Sequence, residues 1–210
     1  EELTMNIQAL NPTTPWNKGK LCGQKAPLKP REIWAIRTRL QLAGKTHDLA
    51  LFNVAIDSKL RGCDLVALRL RDVAHGDAVQ PRAVVLQQKT QRPVQFEITK
   101  QTRQTLSAWI RQAHLGPGDY LFKSRSNPER HLSTRQYVRL IKRWTAQIGL
   151  DTTAYGTHSL RRTKPTIIYR QTKNLRAVQL PLGHTKLEST VRYLGVEVED
   201  ALTISERIEI

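Results

Sequence analysis

One stretch of this chain departs from the spacing of apolar residues found elsewhere, and that departure limits the folds that the chain can adopt. Most of the sequence repeats apolar residues at helical spacing, as Ile33, Ile36 and Leu40 do. In contrast, residues 83–86 form a short apolar run, and residues 93–98 (P-V-Q-F-E-I) alternate apolar and polar side chains. A polar turn, Q-K-T-Q-R, joins these two runs, as is typical of a hairpin. The sequence therefore predicts a mainly α fold with one small antiparallel β-sheet.

Residues that favour helix ends divide the rest of the chain into helices. Pro30 is expected near the first turn of a helix, Thr46 and Thr99 are expected to cap helices, and Ser133 is expected to start another. The second of these helices is expected to carry the chain to Arg61, and a third, short helix follows through Leu65 to about Leu70. Helical spacing indicates three more helices at about residues 175–182, 187–194 and 198–208. Pro165 and Pro181 fall within helices, where a proline removes a hydrogen bond and favours a kink.

The charge of the chain indicates an acidic partner. Its 34 Lys and Arg residues against 18 Asp and Glu residues give a net charge of +16. This excess favours a polyanion, and nucleic acid suits it better than an anionic membrane because the basic residues are not gathered on one amphipathic face. No apolar run reaches membrane-spanning length, and residues 1–30 lack the apolar core of a signal sequence. We therefore expect a cytoplasmic, DNA-associated protein.

Composition also divides the chain into segments. Residues 1–29, rich in Asn, Thr, Pro, Gly and Lys, predict a flexible basic arm ahead of one domain over residues 30–196. Acidic residues beside an apolar stripe predict a tail helix over residues 197–210. Cys22 and Cys63 lack the spacing of metal ligands, so we expect reduced thiols and no metal site.

The residues best suited to chemistry lie near the C-terminus. In T-H-S-L-R-R-T (residues 157–163), His158 and Arg161 are three residues apart and share one face of a helical turn. A guanidinium group offers a rigid pair of donors to phosphate oxygens, and a histidine adds another donor. His184, in L-G-H, and Tyr193, in V-R-Y, follow within the same run, and a tyrosine hydroxyl is a candidate nucleophile. Together these residues predict an anion-binding site with a nucleophile.

Four motifs give the chain a resemblance to the catalytic domain of the tyrosine recombinase (phage integrase) family, over about residues 30–196. L-R-G-C-D-L-V-A-L-R-L-R-D-V resembles the first box of that family, and Q-K-T-Q-R resembles the strand–turn segment that holds its lysine. H-S-L-R-R-T resembles its His-x-x-Arg box, and L-G-H-T-K-L-E-S-T-V-R-Y resembles its closing box. The active-site positions that these motifs imply are Arg61, Lys89, His158, Arg161, His184 and Tyr193. Asp64 matches an acidic residue that is expected to orient an arginine.

The resemblance implies a site-specific recombinase that cleaves and rejoins double-stranded DNA. Tyr193 would attack a phosphodiester to form a 3′-phosphotyrosine, and Lys89 would protonate the departing 5′ oxygen. The other active-site residues would stabilise the charge that develops on the phosphate oxygens. No cofactor is implied, because the covalent bond conserves the energy of the phosphodiester. The partners implied are DNA recombination sites, a homotetramer on DNA and an accessory DNA-bending protein, in a bacterium, phage or mobile element.

Departures from the family pattern leave alternatives open. Most members carry a separate N-terminal DNA-binding domain, for which 210 residues leave no room. The chain therefore resembles either a minimal single-domain type, such as the fimbrial DNA invertases, or a truncated catalytic half. Gly62 also stands where a bulkier residue is frequent. The alternative functions are a type IB topoisomerase, which uses a similar set of residues, and a non-catalytic DNA-binding regulator with the same fold.

Overall fold

The structure is a computed structural model that describes residues 25–76, 78–183 and 186–194. Its helices are α1 Pro30–Leu42, α2 Thr46–Ser58, α3 Gly62–Val66, α4 Leu70–Val73, α5 Lys100–Gln112, α6 Thr134–Gln147, α7 Thr157–Thr172, α8 Leu175–Leu182 and α9 Leu187–Leu194. Its strands are β1 Ala74–His75, β2 Ala78–Val79, β3 Arg82–Leu86 and β4 Pro93–Glu97. The predicted fold class, mainly α with a small antiparallel sheet, is confirmed.

The predicted hairpin is also confirmed. Strands β3 and β4 pair antiparallel, with Arg82 opposite Glu97 and Leu86 opposite Pro93. Val94 and Phe96 of β4 face the core, as their alternation with polar residues requires. A second antiparallel pair, β1 with β2, has only two residues in each strand and was not predicted.

Helix α2 lies at the centre of the domain and packs against α1, α5 and α7. Residues 48–58 of this helix are all buried, which fits a helix that is covered on every side. The rings of Phe52 in α2 and Trp144 in α6 meet edge to face, with 5.5 Å between their centroids. Each such buried apolar side chain contributes roughly 1.5–3 kcal/mol to stability. This core holds in place the loops and helix ends that carry the site residues.

Several helix boundaries differ from the sequence expectation. Helix α2 begins at Thr46 itself, with Lys45 at the N-cap, and it ends at Ser58 instead of reaching Arg61. The expected helix to Leu70 is divided into α3 and α4. The main chain between them pairs elsewhere, because the carbonyl of Leu68 accepts from the N–H of residue 121 at 2.7 Å. That pairing is a tertiary contact, and local sequence does not encode it.

The two helices that contain prolines remain continuous. Helix α7 runs through the buried Pro165, and α8 runs through Pro181. Pro165 lacks the N–H that would donate to the carbonyl of residue 161, so α7 loses one internal hydrogen bond without ending there.

Residues 25–29, which we expected to belong to the flexible arm, lie against the domain. The N–H of Ala26 donates to the carbonyl of Ala154 at 3.2 Å, and the N–H of the buried Leu28 donates to Oγ1 of Thr163 at 3.0 Å. The rest of the expected arm and the expected tail helix lie outside the described residues. No described helix is long and apolar enough to span a membrane.

Candidate active site

The first two turns of α7 present the two residues of the His-x-x-Arg motif. His158 is exposed, whereas Arg161, one turn further on, is only 3% exposed. Nη2 of Arg161 donates to the carbonyl oxygen of Leu182, at the end of α8, at 3.2 Å. Among the described residues, no carboxylate forms an ion pair with Arg161. A buried guanidinium group without such a counter-ion is suited to bind an anion.

The charges around His158 favour its neutral form. Partial burial of the ring lowers the pKa of His158, and the positive charges of Arg161, Arg162 and Arg61 lower it further. A neutral imidazole keeps one N–H donor and one acceptor nitrogen. His158 can therefore donate a hydrogen bond to an anion without adding to the positive charge of the site.

Arg61 is held by the β3–β4 hairpin. It occupies the N-cap position of α3, and its Nη1 donates to Oε1 of Gln87. The same oxygen accepts from Oγ1 of Thr90 at 2.8 Å, and Gln87 itself is only 1% exposed. Gln87 was not predicted, because glutamines stand at positions 87, 88 and 91 around the turn and nothing in the sequence marks the one that points inward. Gln87 thus joins the first arginine to the segment that carries Lys89.

The carboxylate of Asp64 is hydrogen-bonded to the β3–β4 hairpin. Its Oδ1 accepts from the main-chain N–H of Gln88 at 3.0 Å, which ties α3 to the hairpin. The negative charge of Asp64 nevertheless acts on an arginine. Burial lowers the pKa of Arg161, and the charges of Tyr193 and Asp64 oppose that change. Asp64 therefore influences Arg161 through its charge, while its hydrogen bond from the N–H of Gln88 positions the hairpin.

Lys89 is exposed in the turn between β3 and β4. It lines a surface pocket of about 460 Å³ together with Arg61 and His158. The first turns of α6 complete the pocket wall with Thr134, Arg135 and Val138. Three residues that are far apart in the sequence are thus brought together in one pocket. Another pocket, of about 380 Å³ and lined by His47 and Trp109, contains none of the predicted site residues.

Tyr193 lies on α9, which packs against α7 and α8. The Cζ atoms of Arg161 and Arg162 lie 5.9 Å and 5.6 Å from the centre of its ring. Burial raises the pKa of Tyr193 to about 12, and the charges of Arg161, Arg162 and Arg61 oppose that rise. The phenol is therefore protonated at neutral pH, but the arginines favour its ionised form. His184 lies outside the described residues.

A network of charged side chains joins the elements that carry these residues. Lys164, three residues after Arg161 in α7, forms ion pairs with Asp57, near the end of α2, and with Glu97, which ends β4. Glu97 also forms an ion pair with Lys59, which follows α2. Asp57 also accepts from the hydroxyl of Thr102 in α5, at 2.6 Å. The network therefore fixes α2, α5, α7 and the hairpin relative to one another. Among the described residues, no group of three or more His, Cys, Asp or Glu is placed to hold a metal ion.

Comparisons with known proteins show which family and which fold the chain shares. The family model "Phage integrase family" matches residues 28–199. The chain is 29% identical over 151 residues to "Probable integrase/recombinase YoeC" of Bacillus subtilis, covering 72% of this chain and 78% of that protein. Its fold is similar to the crystal structure of XerA recombinase, with a TM-score of 0.71, 18% identity and coverage of 88% of this chain. It is also similar to XerH site-specific recombinase bound to difH substrate, with a TM-score of 0.65, 20% identity and coverage of 85%.

The chain spans 64% of the solved XerA chain and 52% of the solved XerH chain, so it corresponds to about half to two thirds of those recombinases. At these identities the two structures show the shared fold.

Proposed function

This chain belongs to the phage integrase family, and from that we propose that it is a site-specific DNA recombinase that cleaves and rejoins DNA through a covalent bond to Tyr193. One observation carries the proposal. Arg161, the arginine of the His-x-x-Arg motif, is buried and has no carboxylate partner among the described residues. Its Cζ lies 5.9 Å from the centre of the Tyr193 ring. A cationic group that can bind a phosphate is thereby next to a group that can attack it.

The proposed reaction has two bond changes at one phosphorus atom. The phenol of Tyr193 loses its proton to water, its oxygen bonds to phosphorus, and the bond from phosphorus to the 5′ oxygen breaks. Lys89 supplies a proton to the departing 5′ oxygen. Arg61 and Arg161 bind the non-bridging oxygens, and each well-placed donor of this kind contributes roughly 3 kcal/mol to transition-state stabilisation. Attack by a 5′ hydroxyl on the phosphotyrosine reverses these changes and rejoins the strand.

We propose that double-stranded DNA lies along the exposed face of α6. That helix buries Tyr137, Leu140 and Trp144 and leaves an exposed basic face. The exposed basic residues are Arg135, Arg139, Lys142 and Arg143. Since α6 begins in the wall of the pocket that contains Arg61, DNA on this face passes directly over the proposed site. The net charge of +16 favours the same partner.

The remaining parts of the proposal concern assembly. We propose a homotetramer on two DNA sites, a tail over residues 197–210 that contacts a neighbouring subunit, and an accessory protein that bends the DNA. Support comes from the sequence, because the tail is acidic and carries an apolar stripe, whereas the rest of the chain is basic. A DNA-associated protein of the bacterial cytoplasm is the proposed setting.

The test is covalent trapping on a nicked suicide substrate. Tyr193→Phe is expected to bind DNA as the wild type does and to form no adduct that survives denaturation. Tyr169→Phe is the matched control, because Tyr169 belongs to the same apolar cluster as Tyr193 and is expected to keep adduct formation. An adduct with Tyr193→Phe contradicts the assignment of the nucleophile. DNA binding by the wild type without any adduct indicates a non-catalytic regulator, and adducts that relax supercoiled DNA without exchange indicate a topoisomerase.

A further inference from the structure

Arg162, the second arginine of the H-S-L-R-R-T motif, has no role in the reaction described above. It is only 7% exposed, and among the described residues no carboxylate forms an ion pair with it. Its Nη1 donates to the main-chain carbonyl of Lys25 at 2.8 Å, and its buried Nε has no hydrogen-bond partner among the described residues. A buried positive charge held by a single neutral acceptor is costly, so it needs a further explanation.

Tyr193, a described group that can become an anion, lies beside Arg162. Cζ of Arg162 lies 5.6 Å from the centre of the tyrosine ring, within the range of a cation–π contact. The charged groups that face this phenol from the described elements are Arg162 and Arg161 of α7 and Arg61 ahead of α3. Unlike Arg61, Arg162 does not line the pocket that contains Lys89 and His158. The ring of Tyr193 is therefore the described part of the proposed site that Arg162 contacts.

We propose that Arg162 is a positioning residue that holds the ring of Tyr193 and stabilises its phenolate. This inference rests on the proposed function, because it assigns a partner to the proposed nucleophile. A guanidinium group stays protonated throughout, so Arg162 takes no proton. The phenolic proton passes to water, and the charge left on the oxygen is stabilised by Arg162 until the bond to phosphorus forms.

The segment ahead of α1 also holds the guanidinium group of Arg162, through the carbonyl of Lys25. Nζ of Lys25 donates to the carbonyl of Thr153 at 2.6 Å, and the N–H of Leu28 donates to Oγ1 of Thr163, the residue next to Arg162. Residues 25–28 therefore lie across α7 with the Lys25 carbonyl aimed at the guanidinium group. Because this anchor is main-chain, the orientation of Arg162 depends on the path of the chain that precedes the catalytic domain.

The first test measures the ionisation of Tyr193 in the unbound protein. Fluorotyrosine placed at position 193 is titrated by fluorine NMR in the wild type, Arg162→Met, Arg162→Lys and Arg170→Met. Arg170 is the matched control, since it is an exposed arginine of the same helix. We expect Arg162→Met to raise the pKa of the phenol, Arg162→Lys to raise it less, and Arg170→Met to leave it unchanged. An unchanged pKa in a folded Arg162→Met protein overturns the proposal, whether or not the protein cleaves DNA.

The second test follows the rate of adduct formation on the suicide substrate. We expect Arg162→Met to bind DNA within twofold of the wild type but to cleave about tenfold more slowly near pH 8, which corresponds to about one pKa unit. Difluorotyrosine at position 193, which ionises at lower pH, is expected to restore most of that loss. If it restores none, Arg162 acts on the DNA and the proposal is wrong. A wild type without any adduct contradicts the proposed function, and the NMR result still decides the present inference.

Discussion

Nζ of Lys164 in α7 lies 2.8 Å from Oδ1 of Asp57 in α2, although the two residues are 107 positions apart in the sequence. The same ammonium group lies 2.6 Å from Oε1 of Glu97 at the end of β4. Lys59, whose side chain is 1% exposed, reaches the other oxygen of Glu97 at 2.7 Å. Lys164 is three residues beyond Arg161, so these ion pairs connect the His-x-x-Arg helix to the segments that carry Arg61 and Lys89.

Removal of Lys164 is expected to weaken both the fold and the site. Lys164→Met leaves the carboxylate of Asp57, which is only 2% exposed as a residue, without its ionic partner. Loss of one partner of a buried pair costs roughly 3 kcal/mol. Urea unfolding measures this cost, and Lys100→Met on the exposed first turn of α5 is the control with an expected cost near zero. A Lys164→Met protein as stable as the wild type contradicts the importance of the network.

The Asp57 carboxylate also predicts how stability depends on pH. Burial alone would raise the pKa of Asp57, but the hydrogen bond and charge of Lys164 and the hydrogen bonds from Thr102 and Thr99 hold it below its ordinary value. A lowered folded-state pKa stabilises the fold above the unfolded-state pKa of about 4, and this stabilisation is lost as the pH falls through the folded-state value. The free-energy difference between the wild type and Asp57→Asn should therefore shrink on acidification below pH 4, as measured by urea unfolding. A difference that is constant down to pH 2 contradicts this assignment.

Two glycines provide a matched test of the contact between the end of α8 and the hairpin. Gly183 (φ +68°) and Gly44 (φ +61°) have the same left-handed backbone, but a Cβ at Gly183 would lie 2.9 Å from Cγ2 of Val94, whereas a Cβ at Gly44 meets nothing within 4 Å. Gly44→Ala is expected to cost about 1 kcal/mol from its backbone alone. Gly183→Ala is expected to cost more, and Val94→Ala in the same chain should remove the excess. Equal costs for the two glycine variants in urea unfolding would show that the Val94 contact is unimportant.

The parts of the fold that the sequence predicted are those that local interactions determine. The N-caps of α5 and α6 are examples, because Oγ1 of Thr99 and Oγ of Ser133 accept from main-chain N–H groups three residues ahead. The β3–β4 hairpin is another, since the alternation in residues 93–98 matches the period of a strand with one buried face. These signals lie within a few residues of one another and can be recognised without knowledge of the tertiary structure.

The parts that were not predicted depend on contacts between distant segments. Gln87 supports Arg61 from 26 residues away, and nothing in the turn sequence distinguishes it from Gln88 or Gln91. The main chain of Lys25 anchors Arg162 across 137 residues, so no side-chain pattern records that contact. The roles of the six motif residues in catalysis stay predictions.

Lys89 is exposed in the hairpin turn, and its place beside Arg61 and His158 in one pocket agrees with either of two roles. As a general acid it protonates the 5′ oxygen, whereas as a simple cation it binds the phosphate. The two roles differ when the 5′ bridging oxygen of the DNA is replaced by sulfur, because sulfur leaves readily without a proton. Lys89→Ala is therefore expected to cleave normal DNA at least about a hundredfold more slowly than the wild type, the usual contribution of a general acid, yet to approach the wild-type rate on the sulfur substrate. Arg61→Ala is the matched control and should be slow on both substrates, since phosphate binding is needed in each. An equal defect of Lys89→Ala on the two substrates would assign Lys89 to phosphate binding.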